Sequence, residues 1–166
     1  MTHSQIAGQH AVLPPLNGHT LWTIVLAGAL STVAFEYFGQ SLSPMLGFPS
    51  LAPVPLANAV ISVVFGQGYR PGAELLHYLA GVIGYPVGWM FIVRPLSLRL
   101  APSLPTFVAA VLYGVVLWVF ALYLMASLIA GNPPFLGFTN ITWVALVGHI
   151  LFALITAAVV AWRERR

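Results

Sequence analysis

Cysteine is absent from this chain of 166 residues, and so are lysine and aspartate. Without a thiol there is no disulfide framework, no thiolate zinc or iron–sulfur site, and no cysteine-linked lipid or haem. Without aspartate, carboxylate chemistry has only Glu36, Glu74 and Glu164 to draw on. Charge of either sign is scarce: six arginines and three glutamates make up 5% of the chain, against about 25% in a soluble domain. So few charges cannot cover the surface of a soluble domain of this size, and lipid must solvate it. The motifs of a nucleophile elbow, a phosphate loop and a dinucleotide fold are missing as well. No catalytic residue is assigned, and the balance is toward a non-enzyme.

Apolar surface is what the chain has in quantity. Hydrophobic residues are 60% of it and the mean hydropathy is +0.94. The net charge of +3 does not point to nucleic acid, because the arginines sit beside apolar runs instead of forming a basic stripe. A composition rich in Ala, Gly, Pro and Leu, with Arg in place of Lys, has a bacterial flavour, and the expected location is a bacterial cytoplasmic (inner) membrane.

A spanning helix needs about 20 apolar residues. Four stretches qualify, at 20–38, 72–93, 105–130 and 140–162, so the expected fold is all-α, a polytopic membrane protein built as a bundle of four transmembrane helices. Pro-rich sequence after Gly39, a short basic turn from Arg94-Pro95 to Pro105, and Gly131-Asn132-Pro133-Pro134 mark the breaks. An even number of spans places Arg163, Arg165 and Arg166 on the same side as Arg94 and Arg99, with only Arg70 opposite. The positive-inside rule then puts both termini in the cytoplasm. Residues 1–19 are expected as a flexible cytoplasmic segment in which His3, His10 and His19 are solvated, 20–163 as a single domain, and 164–166 as a basic tail. The first segment lacks the basic start of a signal peptide and is expected to stay uncleaved.

The linker over 40–71 is too long for a turn. Its apolar run at 56–65 is too short to span, and suits an interfacial or re-entrant helix on the outer face. The prolines before it, Pro44, Pro49, Pro53 and Pro55, favour an extended path.

Periodicity then locates the polar groups. In the second span Glu74, His77, Gly81, Gly84 and Gly88 step by three and four residues along one face. Gly81, Gly84 and Gly88 are therefore expected as helix-packing positions, with His77 turned into an interface. In the fourth span Thr142, Ala145, His149, Ala153 and Thr156 share a narrow face opposite Val144, Val147, Leu151, Leu154 and Trp162, which suit lipid. Ala29, Thr32 and Glu36 align in the first span, and Tyr113, Phe120, Tyr123 and Ser127 in the third. Counting inward from the outer ends puts Glu36 about 5 Å deep, His77 about 8 Å and His149 about 14 Å, compatible depths for one site.

Ionisable groups inside a span are costly and mark function by default. Glu36 and Glu74 nevertheless stand near helix ends, where they can reach water. Two cofactor readings use these residues. His77 and His149, on facing helices beside small residues, form one pair of axial ligands for a b-type haem. Alternatively Glu36, His77 and His149 are ligands to a single transition metal ion; Glu74 and His77 have the spacing of one half of a di-iron site, but the second half is missing. The expected function is thus a small membrane protein with a Glu/His site for haem, metal or another small ligand. The alternatives are an accessory or assembly subunit of a larger membrane complex, and a small transporter acting as a homo-oligomer. Expected partners are the lipid bilayer and further membrane subunits, with no nucleic acid.

Overall fold

The computed structural model describes residues 13–165. The part of the expected flexible segment at 1–12, with His3 and His10, lies outside the described residues, as does Arg166 of the tail. Among the described residues all regular structure is helical. In chain order the helices are α1 (Gly18–Met45), the shorter α2 (Pro53–Phe65), α3 (Arg70–Leu100), α4 (Thr106–Ile129) and α5 (Asn140–Glu164). All but α2 are long and apolar enough to cross a membrane.

The helix starts follow from local chemistry. Asn17 caps α1, its side-chain oxygen accepting the Thr20 N–H at 3.0 Å, so His19 belongs to the helix instead of a flexible segment. Pro53 and Pro55 fall in the first turn of α2, where backbone N–H groups have no intrahelical partner and a proline costs little. The expected extended path therefore ends at Ala52, and the helix begins three residues before the apolar run at 56–65. Gly66, at φ 76°, closes α2 in the left-handed conformation that favours glycine.

The expected breaks at Gly39 and at Arg94-Pro95 are not breaks. Both helices run on, α1 to Met45 and α3 to Leu100. What carries them past Pro44, Pro86 and Pro95 is a repeated device: a π-helical turn at Tyr37–Leu42, Ala80–Gly84 and Trp89–Val93, each ending two residues before a proline. In each case the residue just before the proline donates its N–H five residues back, Ser43 to Phe38, Tyr85 to Ala80 and Arg94 to Trp89. Widening the turn accommodates a ring that has no N–H and would collide with the carbonyl four residues earlier. It also shifts the helix face by about one residue, roughly 100°.

That shift corrects the glycine stripe. Gly81 faces α1, where an added Cβ would sit 2.5 Å from Thr32 Oγ1, and Gly88 faces α4, 2.6 Å from the Tyr113 hydroxyl. Gly84 is exposed and meets no other helix, so its expected packing role is not observed. The close approach between α1 and α3 falls instead on Gly28, whose missing side chain lets the α1 backbone lie directly on the backbone of Val82. Val82 is the residue whose carbonyl Pro86 cannot serve.

Around the bundle α5 packs on both α1 and α4, and α1 packs on α3. With two neighbours, α5 buries a wider arc than the narrow face expected for it: Thr142, Ala145, His149, Ala153 and Thr156 are buried as expected, but so is Val144. A hydrogen bond of 2.8 Å joins Ser31 of α1 to Thr156 of α5 inside the bundle. In α4 the π-helical stretch Phe120–Ile129 turns Leu122 and Ala126 inward, leaving Phe120 and Tyr123 partly exposed. At one end of the bundle Arg94 forms a bidentate pair with Glu164, at 2.6 and 2.7 Å. There α3 and α4 touch, whereas toward the other end α2 stands between the start of α3 and the π-helical part of α4.

Candidate functional site

The gap that α2 roofs is a cavity of about 460 Å³. Its wall combines Thr32 and Phe35 of α1, His77, Gly81 and Tyr85 of α3, Phe120 of α4, and Ala145, His149 and Phe152 of α5, with α2 and Leu136 closing the end. Most of the wall is apolar or aromatic. His77 and His149, the two imidazoles expected to share a site, do face one cavity.

Their surroundings differ. His149 is only 6% exposed, its ring edge-on to Phe35 at a centroid distance of 5.1 Å. Its Nδ1 lies 2.7 Å from the carbonyl oxygen of Ala145, one turn earlier in α5. A carbonyl only accepts, so Nδ1 carries the proton. His77 Nε2 lies 3.0 Å from Glu36 Oε1, with the two side chains 14% and 25% exposed. Glu36 is outside the cavity wall, so the pair runs from the wall toward the end of the bundle. The Tyr78 ring lies 5.1 Å from that of His77, and Glu36 interacts with Tyr78 as well.

Glu74 does not join this group. It pairs with Arg70, one turn away at 3.0 Å on an exposed face, the position a carboxylate at the start of a helix takes for its own stability. Among the described residues no three His, Cys, Asp or Glu side chains gather as a metal-ligand set. Glu36 and His77 converge, while His149 is held by its own helix.

Thr32 is the other polar group of note. It is 4% exposed, its Oγ1 is buried without a hydrogen-bond partner, and it faces the backbone of Gly81. A helical threonine usually relieves itself on the carbonyl one turn back, so this free hydroxyl on the cavity wall is distinctive. The alignment of Thr32 with Glu36 is visible in the sequence. The aromatic wall of Phe35, Tyr85 and Phe152 is not: Tyr85 packs edge-on to Phe152 at 5.5 Å and to Phe120 at 6.3 Å, but in the sequence these are ordinary apolar-helix residues.

Leu136 reaches the wall from a strained turn. Phe135, Leu136 and Gly137 adopt left-handed backbone angles in succession, with φ of 49°, 53° and 68°. For the first two this costs on the order of 1–2 kcal/mol each. The turn is held by the Thr142 hydroxyl, which donates to the Phe135 carbonyl, and by Trp118, whose ring lies 4.6 Å from that of Phe135. No protein-family model, curated protein or solved structure matches the chain.

Proposed function

We propose that this chain is a multi-pass membrane protein that binds a small lipid-soluble ligand in the cavity between α1, α3, α4 and α5. The observation that carries the reading is a chamber of about 460 Å³ with mainly apolar walls, whose lining includes the buried polar residues Thr32 and His149. Small-molecule sites have this make-up, an apolar enclosure of roughly 300–1,000 Å³ with a few placed polar groups. Four helices of spanning length and hydropathy suit a bacterial cytoplasmic membrane. Arg94, Arg99, Arg163 and Arg165 assign their end of the bundle and both termini to the cytoplasm, which leaves the cavity in the outer half.

The experiment is extraction in a mild detergent followed by native mass spectrometry and solvent extraction. A stoichiometric small molecule should accompany the wild type and be lost from Ala121→Phe, which fills the cavity from a partly buried position of the wall. A wild type that carries no such molecule, and gains no thermal stability from added lipid-soluble compounds, defeats the proposal. Stoichiometric partner proteins in that preparation would support the accessory-subunit reading instead.

A second reading, a b-type haem or one transition metal ion on His149, is favoured by one contact. Metal-ligating histidines characteristically donate their other ring N–H to a carbonyl or carboxylate, and His149 does so to Ala145. His77, however, commits its Nε2 to Glu36, so a bis-histidine site would use its Nδ1 or require the pair to open. The visible spectrum and metal content of the same preparation test this reading, with a Soret band or bound metal lost in His149→Ala as the supporting result.

A further inference from the structure

The hydrogen-bond roles around the cavity restrict the chemistry of its ligand. The hydroxyls of Thr32 and Tyr85 can rotate to give or accept a hydrogen bond. The Asn132 amide donates one N–H to the Ala126 carbonyl, at 3.0 Å, and keeps a second N–H and an oxygen, so it too can give or accept. His77 gives its Nε2 proton to Glu36 toward the end of the bundle, and of the polar side chains on the wall that are more than nine-tenths buried, Thr32 and His149, only His149 has its role imposed. Its Nδ1 donates to the Ala145 carbonyl, and the ring has apolar neighbours, where a second proton would be a buried charge without a counter-ion. Nε2 is therefore a bare lone pair, in a side chain more than nine-tenths buried. A ligand that offers only a carbonyl or ether oxygen would leave that acceptor desolvated and unpaired, whereas one that donates would satisfy it. The body of the ligand must suit a wall of rings, Phe35 beside His149 and the edge-on cluster of Tyr85 with Phe120 and Phe152. Offset and edge-on ring pairs favour a flat aromatic guest.

We infer that the cavity selects lipid-soluble aromatic alcohols, binding them by donation of a phenolic O–H to Nε2 of His149. The inference rests on the proposed binding function and adds the class of ligand.

The test uses the full chain in detergent micelles and three probes on one skeleton: a 4-alkylphenol, its methyl ether, and the aryl ketone of similar size. Affinities are measured by calorimetric titration and corrected for partition into micelles. The phenol should bind at least about tenfold tighter than either acceptor-only probe, since a site built to hydrogen-bond a hydroxyl rejects analogues that lack it. His149→Leu should reduce that preference to within about twofold, by removing the acceptor. The ratio in the unaltered protein is decisive by itself if the variant fails to fold. Equal binding of phenol and ether, or tighter binding of the ketone, overturns the inference and leaves the cavity as a ligand site. Binding of none of the three, in a protein that also carries no extractable ligand, overturns both.

Discussion

Gly28 of α1 and Val82 of α3 meet backbone to backbone, with no room for a single methyl group between them. The contact combines two local facts, a residue without a Cβ on one helix and, on the other, the proline four residues on that cannot close the turn over Val82. Gly28→Ala should therefore destabilise the protein by about 1–3 kcal/mol, the usual range for overpacking. Gly84→Ala is the control: it is also helical, but its nearest neighbour is the Leu79 carbonyl at 3.7 Å. It should be neutral or raise stability by up to about 1 kcal/mol through helix propensity. Thermal unfolding in the same detergent separates them, and equal effects would contradict the register described.

The π-helical turn before Pro86 can be tested by cross-linking, helped by a chain that has no native cysteine. A Cβ at Gly81 would stand 3.6 Å from Thr32 Cβ, within the roughly 3.5–4.5 Å that a disulfide spans. Thr32→Cys with Gly81→Cys should form an intramolecular disulfide under mild oxidation, and Thr32→Cys with Gly84→Cys should not. Mass spectrometry of the digest reads both. A disulfide in the second pair but not the first would mean that α3 is rotated from the register described here.

Between α1 and α5 the Ser31 and Thr156 hydroxyls share one buried hydrogen bond. Each can turn to a carbonyl in its own helix when its partner is lost. Ser31→Ala should therefore cost only about 0.6 kcal/mol, the average for hydrogen bonds between membrane helices, and less than Gly28→Ala. A loss above about 2 kcal/mol would show that this bond matters more to the α1 and α5 contact than steric fit does.

Orientation is read by labelling single cysteines in whole cells. Gln67→Cys, exposed just beyond α2, should react with an impermeant maleimide from outside. Ser103→Cys, exposed in the turn between α3 and α4, should react only after the cells are opened. The reverse pattern would invert the orientation assigned from the arginines.

The four long helices were legible because spanning is a matter of length and composition, both local properties of the chain. The inward faces of His149 and Thr156 were legible for a related reason: α5 is an unbroken α-helix, so regular spacing reports its geometry. Reading α3 the same way failed at Gly84, and reading α4 failed at Tyr123. There the turns widen, and a spacing of three or four residues no longer marks one face. Pro44 and Pro95 looked like stops in the sequence, whereas there, as at Pro86 inside the second span, the helix absorbs the proline one turn earlier.

The site divides in the same way. The apolar cost of an ionisable group made Glu36, His77 and His149 visible in the sequence as candidates, and their depths put them at one end of the bundle. Which of them pair was a tertiary matter. Glu36 meets His77 across 41 positions of chain, while His149 turns to a carbonyl four residues away. Both outcomes satisfy a polar group in an apolar setting, and only the relative rotation of the helices chooses between them. The cavity too belongs to the tertiary structure. It exists because α2, too short to span, stands between α3 and α4 where they would otherwise close, and no single segment records how far apart two others are held.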